Sequence, residues 1–414
     1  MNGATTSGEL RAHNRVRLLR AVHDCGATRT RSQLTRDLRL ARGTASVLVA
    51  GLAEDGLLHE EPASGSARGR PTQIPGPHPR GPLALAVDVR EDAWELAACE
   101  LGGRVTVLDV RPHDGTPEGA LGPLGEAIRA HGARLGPRVA GVGVALAGPV
   151  RHGGLVDIAH LGWRSVDVPA LLALQPSPPA PGPSRTPPGA PTPGRAESGA
   201  QAGGTRTPGG PIVGNDTAFA ALAEARRGRL RGVRVGLHLH VDFDLGGVLV
   251  VGGRPLDGAG GSGAEFGHMP LTGGDRPCPC GATGCWSMDV GANALLRRVG
   301  LAYGGGRGRE QAEHVLATSE EAVAANAEAL GRGIAALVNA LDPEVVTLSG
   351  HGVELYERAG DHLLAACEPG LMAIRRDHPP EIAGSALGWR GSLLGAMESV
   401  FDEFLTPEGL DRWR

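Results

Sequence analysis

Glu265-Phe-Gly-His268 is followed by Cys278-Pro-Cys280-Gly-Ala-Thr-Gly-Cys285, so one histidine and three cysteines fall within 18 residues. The spacing is His-x9-Cys-x-Cys-x4-Cys, with glycines and a proline between the sulfurs. Zn2+ takes four tetrahedral nitrogen and sulfur ligands, so His268, Cys278, Cys280 and Cys285 are expected to close on one structural zinc. The alternative is three unrelated loop cysteines. Only Cys25, Cys99 and Cys367 are scattered over the rest of the chain, which favours the cluster. Thiolates in this pattern fit a reducing cytoplasm better than a disulfide framework.

At 414 residues the chain is expected to form two or three domains. Hydrophobic residues make up 41% and aromatics 3%, so the cores must be aliphatic. Every basic side chain other than histidine is arginine. The net charge of −4 is unevenly spread: residues 1–80 hold 12 Arg against 7 Asp and Glu. A basic front on an acidic body predicts that only the front meets a polyanion. No apolar run is long enough to span a bilayer, and Met1–Leu10 lacks the apolar core of a signal peptide, so a cytoplasmic protein without membrane contact is expected.

Residues 11–62 read as three short helices. Val16, Leu19 and Val22 stripe the first, Ser32 to Leu38 form the second, and Ala45, Leu48, Val49 and Leu52 stripe the third. Leu57 to Glu60 then reads as extended, and Ser64 to Pro71 as a flexible basic turn containing Arg68 and Arg70. From Pro82 onward strands and helices alternate, which indicates an α/β fold. Strands are expected at Leu83–Val87, Trp94–Glu100, Arg104–Val110, Val139–Leu146, Pro211–Asn215, Leu237–Val241, Gly247–Val251 and Glu344–Gly350. Helices are expected at Glu118–Leu135, Thr217–Arg227, from a Ser319 cap to Leu341, and along the stripe Leu394, Met397, Phe401. Residues 175–210 are rich in Pro and Gly and cannot bury enough apolar surface to order themselves, so they are expected to be a disordered insertion. A true interdomain linker is the competing reading.

The Glu265–Cys285 stretch resembles the signature of the ROK family, a group of sugar kinases and sugar-responsive repressors. Its pattern is Glu-x-Gly-His, then Cys-x-Cys-Gly-x-x-Gly-Cys-x-Glu; here the last Glu is Ser287. Thr30 to Ser46 likewise resembles the helix-turn-helix of ROK repressors. The resemblance implies a two-lobed actin-like ATPase (ribonuclease H-like) domain over 81–414, behind a winged helix-turn-helix over 1–80. It further implies a homo-oligomer, dimer or tetramer, on double-stranded operator DNA. Arg42, Thr44, Ala45 and Ser46 would open the recognition helix and touch base edges. Arg31 and Arg36 would face phosphates, and Arg68 and Arg70 on the wing would enter a minor groove. Two positions depart from the family: Arg39 replaces the turn glycine, and Ala41 replaces the Ser cap, a loss of about 1 kcal/mol. A three-helix bundle that mediates protein contacts is the plainer alternative.

By the same resemblance Asn215, Asp216, Glu265 and His268 would surround a sugar, with Asp216 as a vestigial general base and His268 shared between zinc and ligand. The dipeptide alone would be an ordinary helix cap. Phosphoryl transfer further needs backbone loops around nucleotide phosphates. The family's Asp-x-Gly-x-Thr reads Asp88-Val-Arg90-Glu91-Asp92, and its Gly-Thr-Gly-x-Gly-Gly reads Asp242-Phe-Asp244-Leu-Gly246-Gly247. Acids stand where an anion must sit, and like charges at ~4 Å repel by about 4 kcal/mol at a screened dielectric of 20. The expectation is therefore that ATP is not a cofactor and that the chain is not an enzyme but a regulator of carbohydrate metabolism, a repressor answering to a sugar or sugar phosphate. An active sugar kinase is the runner-up.

Overall fold

The computed structural model describes residues 7–62, 72–174, 205–206 and 210–413. The head begins with α1 (Ser7–Asp24), α2 (Arg31–Asp37) and α3 (Arg42–Glu54). A capping box starts α2: Thr30 Oγ1 accepts from the Gln33 amide at 3.2 Å, and Gln33 Oε1 accepts from the Thr30 amide at 2.8 Å. Ala41 opens α3 with no side-chain cap. In the turn between them Arg39 takes φ +53°, the left-handed region that favours glycine. The antiparallel strands β1 (Leu58–Pro62) and β2 (Gln73–Pro77) complete a winged helix-turn-helix. The wing arginines Arg68 and Arg70 lie outside the described residues.

The first lobe carries the meander β3 (Leu83–Val89), β4 (Ala93–Glu100) and β5 (Val105–Pro112), covered by α4 (Pro117–Leu135). β6 (Val139–Leu146) pairs parallel to β3. A small antiparallel sheet of β7 (Val150–Arg151), β8 (Leu155–Ile158) and β9 (Trp163–Asp167) leads into α5 (Val168–Leu172). Much of the Pro/Gly-rich insertion lies outside the described residues. Thr205–Arg206, expected to be structureless, instead form β10, antiparallel to β11 (Ile212–Asn215). β11 pairs parallel to β6 and runs straight into α6 (Asp216–Arg227).

The second lobe repeats this layout. β12 (Val235–Val241), β13 (Leu245–Val251) and β14 (Arg254–Pro255) form a meander. The cysteine-bearing loop, α7 (Ala292–Arg298), α8 (Arg309–Thr318) and α9 (Glu320–Leu341) follow, with Ser319 capping α9. β15 (Val345–Gly350) pairs parallel to β12, and after α10 (His351–Cys367) and α11 (Ala373–Asp377), β16 (Glu381–Gly384) pairs parallel to β15. α12 (Gly391–Phe404) returns to the first lobe, and α13 (Pro407–Trp413) ends against the head. α12 approaches α6 closely enough that a Cβ on Gly395 would sit 1.8 Å from the Phe219 carbonyl oxygen.

One hydrophobic core joins head and first lobe: Leu19, Val22, Leu34 and Leu52 pack in the same cluster as Ala86, Met397 and Phe401. At its centre the fully buried His23 Nε2 lies 3.1 Å from Glu398, and the Gly102 amide donates to His23 Nδ1 at 3.0 Å. Arg227 closes the group on the other carboxylate oxygen of Glu398 at 2.5 Å. Burial pushes Glu398 up, but His23 and Arg227 outweigh it and hold the carboxyl at about 2. Among the described residues no helix is long and apolar enough to cross a membrane.

Candidate functional site

The end of β11 aims two side chains into the cleft between the lobes. Asn215 caps α6, its Oδ1 accepting from the Ala218 amide at 2.9 Å, while its Nδ2 donates to the Gly148 carbonyl at 3.1 Å. The cap is therefore Asn215, and Asp216 is the first helical residue. Thr217 Oγ1 donates to Asp216 at 3.1 Å. A short 3-10 turn, Phe266–His268, brings Glu265 and His268 to the opposite wall. Asn215, Asp216, Glu265 and His268 thus line one cavity of about 280 Å3. Burial pushes Asp216 up to about 7, with Glu91 adding to the effect; burial and then Asp216 push Glu265 to about 7. Asp88, behind them, rises to about 8 through burial, Asp216 and Asp242 outweighing the opposing Arg90.

Sequence reasoning placed acids in both phosphate loops and missed the two cations that answer them. Arg309, the first residue of α8, donates to Asp92 of the first lobe at 2.6 and 3.1 Å and to Asp242 of the second at 2.9 and 3.2 Å. Its guanidinium lies over Phe243 and Trp389, 4.9 and 5.6 Å from the ring centroids. His160, in the 3-10 turn Ala159–Leu161, stands 3.2 Å from Glu91 and 3.1 Å from Asp244. Burial lowers His160, but Asp244 and Glu91 outweigh it and raise it to about 10. Burial pushes Asp242 up, yet the bonded Arg309 wins and holds it below the usual carboxylate range. Neither partner has a local signal: each is remote in sequence from the acids it meets. Beside them Gly350 takes φ +59° to start α10, and His351 packs edge-on against Trp389 at 4.9 Å.

His268, Cys278, Cys280 and Cys285 converge, with their ligand atoms all within 4.8 Å of one another. The Cys280 and Cys285 sulfurs are 3.7 Å apart, as are Cys278 Sγ and His268 Nδ1. Tetrahedral zinc with sulfur at about 2.3 Å and nitrogen at about 2.05 Å gives edges of about 3.8 and 3.6 Å, so the donor set fits such an ion. Nδ1 of His268 faces the sulfurs while the residue also lines the cleft. Trp286 anchors the loop, its Nε1–H donating to Ala329 of α9 at 2.8 Å. Ser287 is buried and donates to the Gly267 carbonyl at 2.8 Å, so no side chain here supplies the family's final carboxylate.

In the head Arg42, Thr44 and Ser46 are exposed at the start of α3, and Ser46 Oγ donates back to the Arg42 carbonyl at 3.1 Å. Ala45 is buried at 1% exposure among the core residues, which corrects its placement on base edges. Arg31 pairs with Glu60 of the wing at 3.1 Å; Arg36 is exposed.

Residues 209–402 match the ROK family. The chain carries a ROK family domain. A glucokinase of Halalkalibacterium halodurans is 31% identical over 175 residues, covering 37% of this chain and 51% of that protein. A putative xylose repressor of Caldicellulosiruptor is 26% identical over 210 residues, covering 47% and 52%. The chain spans about half the length of the curated relatives it matches. Among solved structures, a ROK family transcriptional regulator, a homologue of the E. coli MLC protein, superposes with a TM-score of 0.65 over 98% of both chains at 20% identity. A ROK hexokinase from Thermus thermophilus gives 0.55 over 78% of this chain and 98% of its own at 26% identity. The two-lobed actin-like ATPase fold of the family, with a region preceding the ROK domain, is thereby established. The expectation that the chain is not an enzyme is overturned. Relatives named glucokinase and hexokinase share the domain, and the loop acids that motivated it are compensated by Arg309 and His160.

Proposed function

We propose that this chain is a cytoplasmic, DNA-binding transcriptional regulator of carbohydrate metabolism, acting as a homo-oligomeric repressor with a sugar effector in its cleft. The observation that carries the reading is the head: a helix-turn-helix with Arg42, Thr44 and Ser46 exposed at the N-terminus of α3, seated on the same core as the first lobe. Arginine there can grip guanine O6 and N7, and a hairpin wing lies beside it. The whole-chain likeness to the regulator supports the architecture, and the relative named as a xylose repressor supports the role. In this reading Asn215, Asp216, Glu265 and His268 pair with sugar hydroxyls. His268, Cys278, Cys280 and Cys285 hold a structural zinc that fixes the His268 wall. A sugar that binds two lobe arrangements with different affinity would shift the spacing of paired heads. Fluorescence anisotropy on promoter fragments from the protein's own locus tests this: Arg42→Ala is expected to weaken binding about ten- to a hundredfold, as loss of one bidentate base contact does. An unchanged affinity would remove the reading.

A second reading, an ATP-dependent sugar kinase, is favoured by the relatives named glucokinase and by Asp216, whose carboxyl near 7 suits a general base. Hexose-dependent ATP turnover that disappears in Asp216→Asn would establish it.

A further inference from the structure

One helix runs from the cleft to the head. α6 starts at the cavity wall, where Asn215 caps it and Asp216 is its first residue, and it ends with Arg226 and Arg227. Its 12 residues span about 18 Å. At the far end two acids of α12, Glu398 and Asp402, lie one turn apart. Each holds one residue of α6 and one of the head. Glu398 takes Arg227 on one oxygen and His23 of α1 on the other. The Gly102 amide donates to His23 Nδ1, so Nε2 carries the hydrogen that Glu398 accepts. Asp402 takes Arg226 at 3.1 Å and also Arg20 of α1. A second hold comes from α13: Trp413 Nε1–H donates to the Asp55 carbonyl at 2.9 Å, and the Asp55 carboxylate pairs with Arg15 of α1.

The two sides of α6 differ in kind. Toward the second lobe, Ala221 and Ala225 pack with Val248 and Val250 of β13, small apolar groups that resist sliding weakly. The Ser385 hydroxyl donates across this side to Glu224 and can turn to follow it; the exposed Arg229 reaches the Gly384 carbonyl at 3.2 Å. Toward α12 the packing is backbone-tight at Gly395 and Phe219, and Glu398 is fully buried. Those ion pairs cannot lengthen without leaving a buried carboxylate uncompensated. The head shares its hydrophobic cluster with first-lobe strands, Phe219 and α12, and among the described residues no member of that cluster comes from the second lobe. A displaced α6 therefore slips over β13 and carries α12 and α1 with it, a shear between packed elements.

Resting on the sugar-responsive regulator reading, we propose that α6 is the lever between the effector cleft and the DNA-binding head, and that Glu398 and Asp402 couple the two. A sugar gripped by Asn215 and Asp216 on α6 and by Glu265 and His268 on the second lobe pulls across the side that slips. The head follows because α12 binds it to the same helix. By linkage, DNA on the head changes sugar affinity by the same factor.

The test is a coupling factor, since a chain of contacts alone does not establish coupling. DNA affinity of the full chain for a fragment of its own promoter is measured by anisotropy without sugar and with saturating glucose, xylose or N-acetylglucosamine, whichever calorimetry shows to bind. The wild-type ratio of the two dissociation constants is expected to be at least tenfold. Asp402→Asn should leave sugar-free DNA affinity and DNA-free sugar affinity within threefold of wild type, while cutting that ratio at least threefold. Arg226→Gln should do the same, Asp402→Glu should keep the ratio, and Glu398→Gln should bring it close to one. Hydrogen exchange without DNA gives a second readout that survives loss of DNA binding in a variant. Sugar should change exchange in both α6 and α1 of wild type, but in α6 alone in Asp402→Asn. A ratio and an α1 response unchanged in Asp402→Asn and Arg226→Gln would overturn the lever and leave the regulator intact. Wild-type protein in which sugar and DNA bind without affecting each other, or in which either fails to bind, would overturn the regulator reading and the lever with it.

Discussion

Arg309 ties the two lobes together, and its removal has a calculable cost. It makes four hydrogen bonds, two to Asp92 in the first lobe and two to Asp242 in the second. Asp242 is 6% exposed, so without the guanidinium it becomes a buried, uncompensated carboxylate. Breaking a buried pair from one side costs about 3–5 kcal/mol. Asp92 is more exposed, and its share is about 0.5–1 kcal/mol. Arg309→Met keeps much of the apolar contact with Phe243 and Trp389 while deleting the charge, and should lower Tm by on the order of 10 °C. Arg309→Met combined with Asp242→Asn removes both charges and should recover at least half of that loss. The pH dependence has a definite sign. Arg309 holds Asp242 below its usual 3.8, so the stabilisation is present above that value and fades as pH falls. The gap between wild type and Arg309→Met should therefore narrow in acid. Scanning calorimetry of the single and double variants decides the matter. A single variant costing under about 1 kcal/mol, or a double variant whose losses simply add, would refute the claim that Asp242 depends on Arg309.

Three further outcomes follow from particular contacts. Glu398 is held at about 2 against a usual 4.5, so it contributes about 3 kcal/mol above pH 4.5 that is lost as pH falls through 2; urea unfolding of wild type and Glu398→Gln should differ at pH 7, by less at pH 3, and converge only below pH 2. Arg39→Gly relieves a left-handed backbone and should leave the head about 0.5–1 kcal/mol more stable by denaturant midpoint, with no gain if Arg39 is unstrained. Elemental analysis of Cys280→Ser should find zinc well below one equivalent per chain, whereas stoichiometric retention would remove Cys280 from the ligand set.

What could be read along the chain was what is written locally. Val139–Leu146 was expected as a buried strand and is β6 residue for residue, because a short apolar run bounded by turn residues specifies itself. Ser319 caps α9 as expected, through the Ala322 amide at 3.4 Å. Cys278, Cys280 and Cys285 are close in sequence, so their spacing made the convergence with His268 legible. The third helix showed its stripe of Ala45, Leu48, Val49 and Leu52, all buried; assigning Ala45 to DNA ignored that same stripe. The strand expected to end at Gly350 does end there, but Gly350 is also the cap of α10, a helix absent from the sequence expectations although its buried Leu355, Ala359 and Leu363 recur every fourth residue. His160 and Arg309 were invisible because their partners lie up to 217 residues away and no period links them. The loop acids, read without those partners, pointed wrongly to a dead site.

The central claim is that the head reads duplex DNA. It is tested most directly by titrating the full chain onto a labelled fragment of its own promoter between 50 and 200 mM salt, with and without a panel of hexoses and xylose. The account predicts an affinity that falls by several orders of magnitude over that range, as arginine–phosphate contacts release counterions, together with a shift when the sugar is added. Binding that is absent or indifferent to salt, from a protein that phosphorylates the sugar, would contradict it.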